Sequence, residues 1–184
     1  MQLLHPKFNN LRHSAVQVPT IKVLAIEIQD LKLAIPLELL VKVTRTPAVF
    51  KSGDKWMGMT HLDQESLLVL DLYQRIYGTT NPQAVENLVI IRDLRNGDDR
   101  LLGIPVSKLP TMVSLRTDQI QSLPSDYRDH DTLGIASDIA ILNQGDQTET
   151  LFLLDPDRLF HDLRMDVENA QIALKEAPIA LPKQ

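Results

Sequence analysis

The chain has no cysteine, only seven glycines in 184 residues, four Phe, three Tyr and one Trp, and no excess of positive charge. Each shortage removes a class of function. Without cysteine there is no disulfide staple, no thiolate metal site and no cysteine nucleophile, and a reducing cytoplasm is the expected compartment. The glycines stand singly and form no Gly-rich run ahead of a helix, so no phosphate-cradling loop is read and no nucleotide is expected. Nineteen Lys and Arg against 24 Asp and Glu leave a net charge of −5, which directs the chain to neither nucleic acid nor anionic lipid. The longest apolar runs, Leu67 to Leu70 among them, reach four residues where a membrane-spanning helix needs about 20. The first twenty residues, MQLLHPKFNNLRHSAVQVPT, lack the apolar core and small-residue cleavage site of a secretory signal, so no export and no membrane insertion are expected.

What the chain does have is 30 Leu, 14 Ile and 12 Val, ample for a core within a single domain of ordinary size. Residues 1–19 show neither helical nor strand periodicity and read as a tail. From Lys22 the apolar residues alternate: Leu24, Ile26 and Ile28 share one face, and Leu31, Leu33 and Ile35 alternate again after Asp30, which describes a tight strand pair. Leu39, Val41 and Val43 repeat the period of two up to Thr46-Pro47, where proline cannot donate to a ladder. Lys51 to Asp54 is turn chemistry, and Leu67 to Leu72 reads as a buried strand. Tyr77 to Gln83 gathers turn formers and marks a junction near residues 77–87 between two strand-rich halves. Leu88 to Leu94 and Arg100 to Val106 flank Asn96-Gly97, a hairpin signal because both residues tolerate positive φ. Ile139 to Leu142 and Thr150 to Leu154 form another pair around residues 143–146. A helix is expected from Asp155, a side chain able to cap free amides, and Pro156, whose missing N–H costs nothing at the first helical position. Its stripe is Leu159, Leu163, Val167, Ala170 and Leu174, and residues 177–184 read as a second tail.

Chemistry-bearing clusters are sparse. His61 with Asp63, and His130 between Asp129 and Asp131, are the places where imidazole and carboxylate come close in sequence. Neither has the three or four spaced ligands a zinc site requires, so no metal is expected and solvated loop charges are the simpler reading. No Gly-x-Ser-x-Gly turn marks a nucleophile, and Trp56 reads as core cover.

The second half carries a recognisable series. Leu102-Gly-Ile-Pro-Val106, Val113-Ser-Leu115, Gln119-Ile120, Leu133-Gly134 and Leu151-Phe-Leu-Leu-Asp155 resemble, in that order, the CheW-like domain of chemotaxis coupling proteins. Val23 to Val43 is similar to that family's opening strands. Gly58-Met-Thr-His-Leu62 followed by Val69-Leu-Asp-Leu72 is similar to its central glycine, loop and Val-Asp-Leu block. The resemblance runs from about Thr20 to Phe160. It implies a mostly β fold, two SH3-like five-stranded β-barrel subdomains sharing a core with a C-terminal helix against them, in a single domain over residues 20–176.

It also implies a non-enzymatic adaptor without cofactor, coupling receptors to a CheA-type histidine kinase in a chemotaxis-like or pilus-motility signalling system. The partners would be the kinase regulatory domain, the chemoreceptor cytoplasmic tip, or both. The alternative is a diverged scaffold recruited to a different complex, with an enzyme a distant third. One departure bears on that choice: the family usually carries Asn-Leu-Arg-Gly where this chain has His61-Leu62-Asp63-Gln64, so a cation has become an anion. The candidate partner-binding residues are Leu39, Val41 and Val43 of the third strand, Gly58, whose missing Cβ permits close approach, Leu62 and Asp63 of the altered motif, and Ile104 and Val106 of the second half. Alternation alone leaves open which of the strand residues face inward.

Overall fold

Alternating hydrophobicity builds the first hairpin as the sequence predicts. In the computed structural model, which describes residues 18–51, 56–62, 65–92, 101–124, 134–144 and 147–161, β1 (Thr20–Ile28) pairs antiparallel with β2 (Leu31–Pro36), Ile28 standing opposite Leu31. Leu24, Ile26 and Ile28 are all buried on one side. The two-residue turn between the strands holds Gln29 at a φ of 55°, a left-handed conformation that L-residues adopt at a cost of about 1–2 kcal/mol.

Ten further strands follow among the described residues: β3 (Leu40–Arg45), β4 (Phe50–Lys51), β5 (Met57–Leu62), β6 (Glu65–Leu70), β7 (Asn87–Arg92), β8 (Leu101–Val106), β9 (Thr111–Arg116), β10 (Ile120–Ser122), β11 (Ala136–Gln144) and β12 (Gln147–Leu154). They form two curled sheets, ordered β10-β11-β12-β2-β1-β9 and β3-β7-β8-β6-β5-β4. The fold is mostly β in two barrel-like halves, each sheet having six strands rather than the five expected.

The halves do not divide the chain at residues 77–87. β7 pairs with β3 on one side and β8 on the other, so that stretch lies within the second sheet. The first sheet instead joins the two ends of the chain, through the parallel pair β12–β2, and the second is built from the middle. The chain changes sheets at the 3-10 turn Leu37–Leu39 and again at residues 107–110. Leu39 therefore belongs to a turn rather than to the third strand.

Three cores result. Val23, Ala34, Leu115, Ala140 and Leu151 form a cluster on the first sheet, and Leu67, Val69, Leu88 and Ile90 one on the second. Between the sheets lies a larger core, in which Leu24, Ile26, Leu33 and Ile35 of the first meet Val89, Ile91, Leu102 and Ile104 of the second. Each such side chain contributes roughly 1.5–3 kcal/mol by burial. Gly103 lies tight against the second-sheet core, since a Cβ there would stand 2.9 Å from Leu88 Cδ1 and 3.2 Å from Leu67 Cδ2.

A short helix that periodicity does not reveal, α1 (Leu72–Tyr77), follows β6 where the sequence suggests strand to Leu72. Its ends explain it: the Asp71 carboxylate accepts the Gln74 N–H at 3.0 Å, and Gly78 closes it at a φ of 68°. Leu72, Tyr73 and Ile76 enter the shared core. The C-terminal helix begins at Pro156 as expected, with Asp155 Oδ1 accepting the N–H groups of Asp157 (2.8 Å) and Arg158 (3.3 Å). Leu159 and Phe160 are buried in the shared core, while Leu163, Val167, Ala170 and Leu174 lie outside the described residues. So do the Ser52–Asp54 part of the predicted turn, the Asn96-Gly97 turn, the Asp129–Asp131 cluster and most of both tails.

Candidate functional site

The register of the second sheet aligns one residue from each of its six strands. Leu40 stands opposite Ile91, Ile91 opposite Leu102, Leu102 beside Leu68, Leu68 opposite Met59, and Met59 opposite Phe50. Paired residues share a face, so Leu40–Ile91–Leu102–Leu68–Met59–Phe50 is one apolar row on the side turned to the shared core. Ile91 and Leu102 are buried, Leu40 and Leu68 half-buried, and then the row runs out from under its cover: Met59 is 50% and Phe50 68% exposed.

The edge that carries Phe50 is held in place by the segment before it. Thr46 N–H donates to the Glu86 carbonyl at 2.9 Å, and the buried Thr60 hydroxyl donates to the Ala48 carbonyl at 2.7 Å. On one flank of the row Met57 stands opposite Leu70; on the other, His61 stands opposite Ser66, with Nδ1 and Oγ 3.3 Å apart and both residues exposed. An apolar strip beside a polar row is the usual layout of a docking patch with its rim. Trp56, half-buried against the shared core, has the Arg75 guanidinium 4.5 Å above its ring, so it serves as core cover and also seats a cation.

The candidate residues separate on this geometry. Ile104 and Val106 are fully buried and Leu39 nearly so, all three in the shared core, which removes them from any partner-facing surface. The reason for Ile104 and Val106 is register: in β8 that face is the one turned to the other sheet. Val43 is partly exposed, and it is the outer end of the row Val43–Val89–Ile104, so the structure does join Val43 to Ile104, one outside and the other within. Val41, next to a register irregularity between Leu40 and Lys42, is also exposed. Gly58 is buried, opposite Val69 and on the face away from Met59 and Phe50, and Leu62 is half-buried against the second-sheet core. Asp63 lies outside the described residues. Phe50 and Met59 escape a sequence reading because a two-residue strand has no period, and Met59 reads as one more alternating residue.

The first sheet carries charge instead. The Lys32 ammonium meets the Glu149 carboxylate, Lys108 meets Glu27, and Lys32 lies 4.0 Å from Glu27. The hydrogen bond to Glu149 is the chief reason that Lys32 titrates above its ordinary 10.5. Among the described residues no helix is long and apolar enough to cross a membrane.

Comparison with known proteins agrees with this architecture. The family model of the CheW-like domain matches residues 22–164. Among solved structures, the scaffolding protein TtCheW from Thermoanaerobacter tengcongensis superposes with a TM-score of 0.60 at 13% identity, over 78% of this chain and 90% of that one, a likeness of fold. No curated protein sequence matches. The chain belongs to the CheW-like domain family.

Proposed function

We propose that this member of the CheW-like family is a non-enzymatic adaptor working in the cytoplasm, where it holds a CheA-type histidine kinase and the cytoplasmic tip of a chemoreceptor in one assembly. The observation that carries the reading is the uncovered end of the six-strand row. Phe50 and Met59 extend the shared core past the reach of the first sheet, so a partner that covers them continues an apolar contact the fold has already begun. Burying an aromatic or Met side chain of this kind contributes roughly 1.5–3 kcal/mol, enough for one or two such residues to anchor an interface. Val41 and Val43 supply a second, smaller apolar edge on β3.

Calorimetric titration of the full chain with a kinase regulatory domain, and separately with a receptor tip, tests the proposal. Saturable binding to either supports it; binding to neither contradicts it.

The sequence itself favours a second reading, in which the chain scaffolds a different complex. Asp63 stands where the family usually has arginine. A reversed charge at a partner-facing position replaces attraction with repulsion. On this reading Asp63→Arg improves binding to a conventional regulatory domain by about 1–3 kcal/mol, and the gain shrinks as salt screens it. Equal affinities for the two forms would remove Asp63 from the account.

A further inference from the structure

The first sheet has an overhang of its own, and its chemistry differs. β9 is an edge strand, paired among the described residues with β1 alone. An edge strand presents unpaired N–H and C=O groups to any chain that can lie beside it. Met112 of β9 stands opposite Leu24, which stands opposite Ile35, so Met112–Leu24–Ile35 runs from the edge into the shared core. Leu24 and Ile35 are buried, yet Met112 is 62% exposed, and Leu109, just before the strand, is 72% exposed.

Along the same face the next rows are polar and cationic. Ser114 stands opposite Lys22 and Arg116 opposite Thr20, all exposed. Arg116 is already engaged, its Nε donating to Asp118 Oδ1 at 3.0 Å. Lys22 makes no ion pair among the described residues, and its partner toward the edge is the short side chain of Ser114.

We propose that β9 accepts an extended peptide segment as an added strand, and that the segment carries a carboxylate two positions from an apolar residue. Backbone pairing to the edge supplies affinity, and alternate side chains supply selectivity. The apolar residue lies over Met112 against Leu109. The next side chain on that face lies over Ser114, where its carboxylate reaches Lys22. A second copy of this chain fits poorly: pairing β9 with itself about Ser114 sets Met112 against Arg116 and brings two Lys22 ammonium groups to the same Ser114 pair, so cations face cations. The site lies on the other sheet from Phe50 and does not depend on the adaptor reading.

The test uses the full chain and a fluorescein-labelled, end-capped heptapeptide in which Thr alternates with Glu, Val and Glu, so that a carboxylate stands two positions from Val in either strand direction, against the same peptide with Lys in place of Glu. Fluorescence anisotropy at low salt should show the acidic peptide binding about three- to tenfold more tightly, as expected for one or two exposed ion pairs. Lys22→Glu, an exposed change that leaves the thermal midpoint in place, should reverse the order, and Met112→Asp should weaken both peptides. Absence of binding by either peptide, equal affinities, or an unchanged order in Lys22→Glu would overturn the proposal. A dimer seen by light scattering that the acidic peptide fails to displace would also overturn it, by assigning the edge to a second copy.

Discussion

Tyr73 of α1 donates its hydroxyl to Gln29 Oε1 at 2.8 Å, which ties the helix that follows the second sheet's β6 to the hairpin turn of the first. Tyr77 does the same one turn later, donating to the Ile28 carbonyl at 3.2 Å, and the two rings lie 4.9 Å apart. Gln29 thus holds a left-handed backbone that glycine would adopt more easily, and it supplies the acceptor that glycine lacks. Tyr73→Phe keeps the ring and loses the bond, at an expected cost of about 1 kcal/mol, or roughly 2–4 °C in a thermal melt. In a Gln29→Gly background the same substitution should cost little, because the acceptor is gone already. Equal costs in both backgrounds would show that the hydroxyl bond contributes nothing.

Gly103 offers a second test of packing. Added to β8, the alanine methyl meets Leu88 Cδ1 at 2.9 Å, so the fully buried Leu88 side chain must shift within the core. Gly103→Ala should therefore destabilise by about 1–3 kcal/mol, measured by urea unfolding, although alanine suits a strand better than glycine. A stabilised variant would mean that the second barrel has slack the structure does not show.

Local signals explain what the sequence could and could not disclose. The β1–β2 hairpin, the β7–β8 and β11–β12 pairs and the Asp155–Pro156 helix start rest on contacts within a few residues, and alternation or cap chemistry reveals them. The assembly of β1 and β2 with β9 to β12 depends on pairing across 86 to 119 residues, with a parallel β12–β2 contact that leaves no turn to read. Alternation does not disclose facing: Val43 ends its row at the sheet edge and Val41 adjoins the irregularity at Leu40/Lys42, both partly exposed, while Ile104 and Val106, with the same alternation, go inward. The site residue with the largest exposed ring, Phe50, sits in a strand too short to announce itself.

Alkaline pH should unfasten this structure sooner than mild acid. The Glu149 hydrogen bond raises the pKa of Lys32 above 10.5, and burial is the main cause that raises Tyr77 above 10.0. A group whose folded pKa is raised stabilises fully below its unfolded value and loses that contribution as pH climbs through the folded one. Both contributions are present at neutral pH and fade above about pH 10. Asp118 works in the opposite window: its hydrogen bond with Arg116 lowers it from 3.8, so its contribution holds above that value and fades as pH falls through the folded one. Urea midpoints should be flat through neutral pH and fall above pH 10, with a shallower fall in Tyr77→Phe and in Lys32→Met. An alkaline slope identical in wild type and both variants would assign the loss to other groups.

The most direct measurement compares wild type, Phe50→Asp and Met59→Asp for calorimetric binding to the kinase regulatory domain and to the receptor tip. Because both side chains are half exposed or more, each variant should keep the wild-type thermal midpoint to within about 2 °C. Each should lose about 2 kcal/mol or more of affinity, roughly thirtyfold, for the partner that covers the end of the apolar row. Undiminished affinity of both variants for every partner that the wild type binds would contradict the claim that this row is the docking surface.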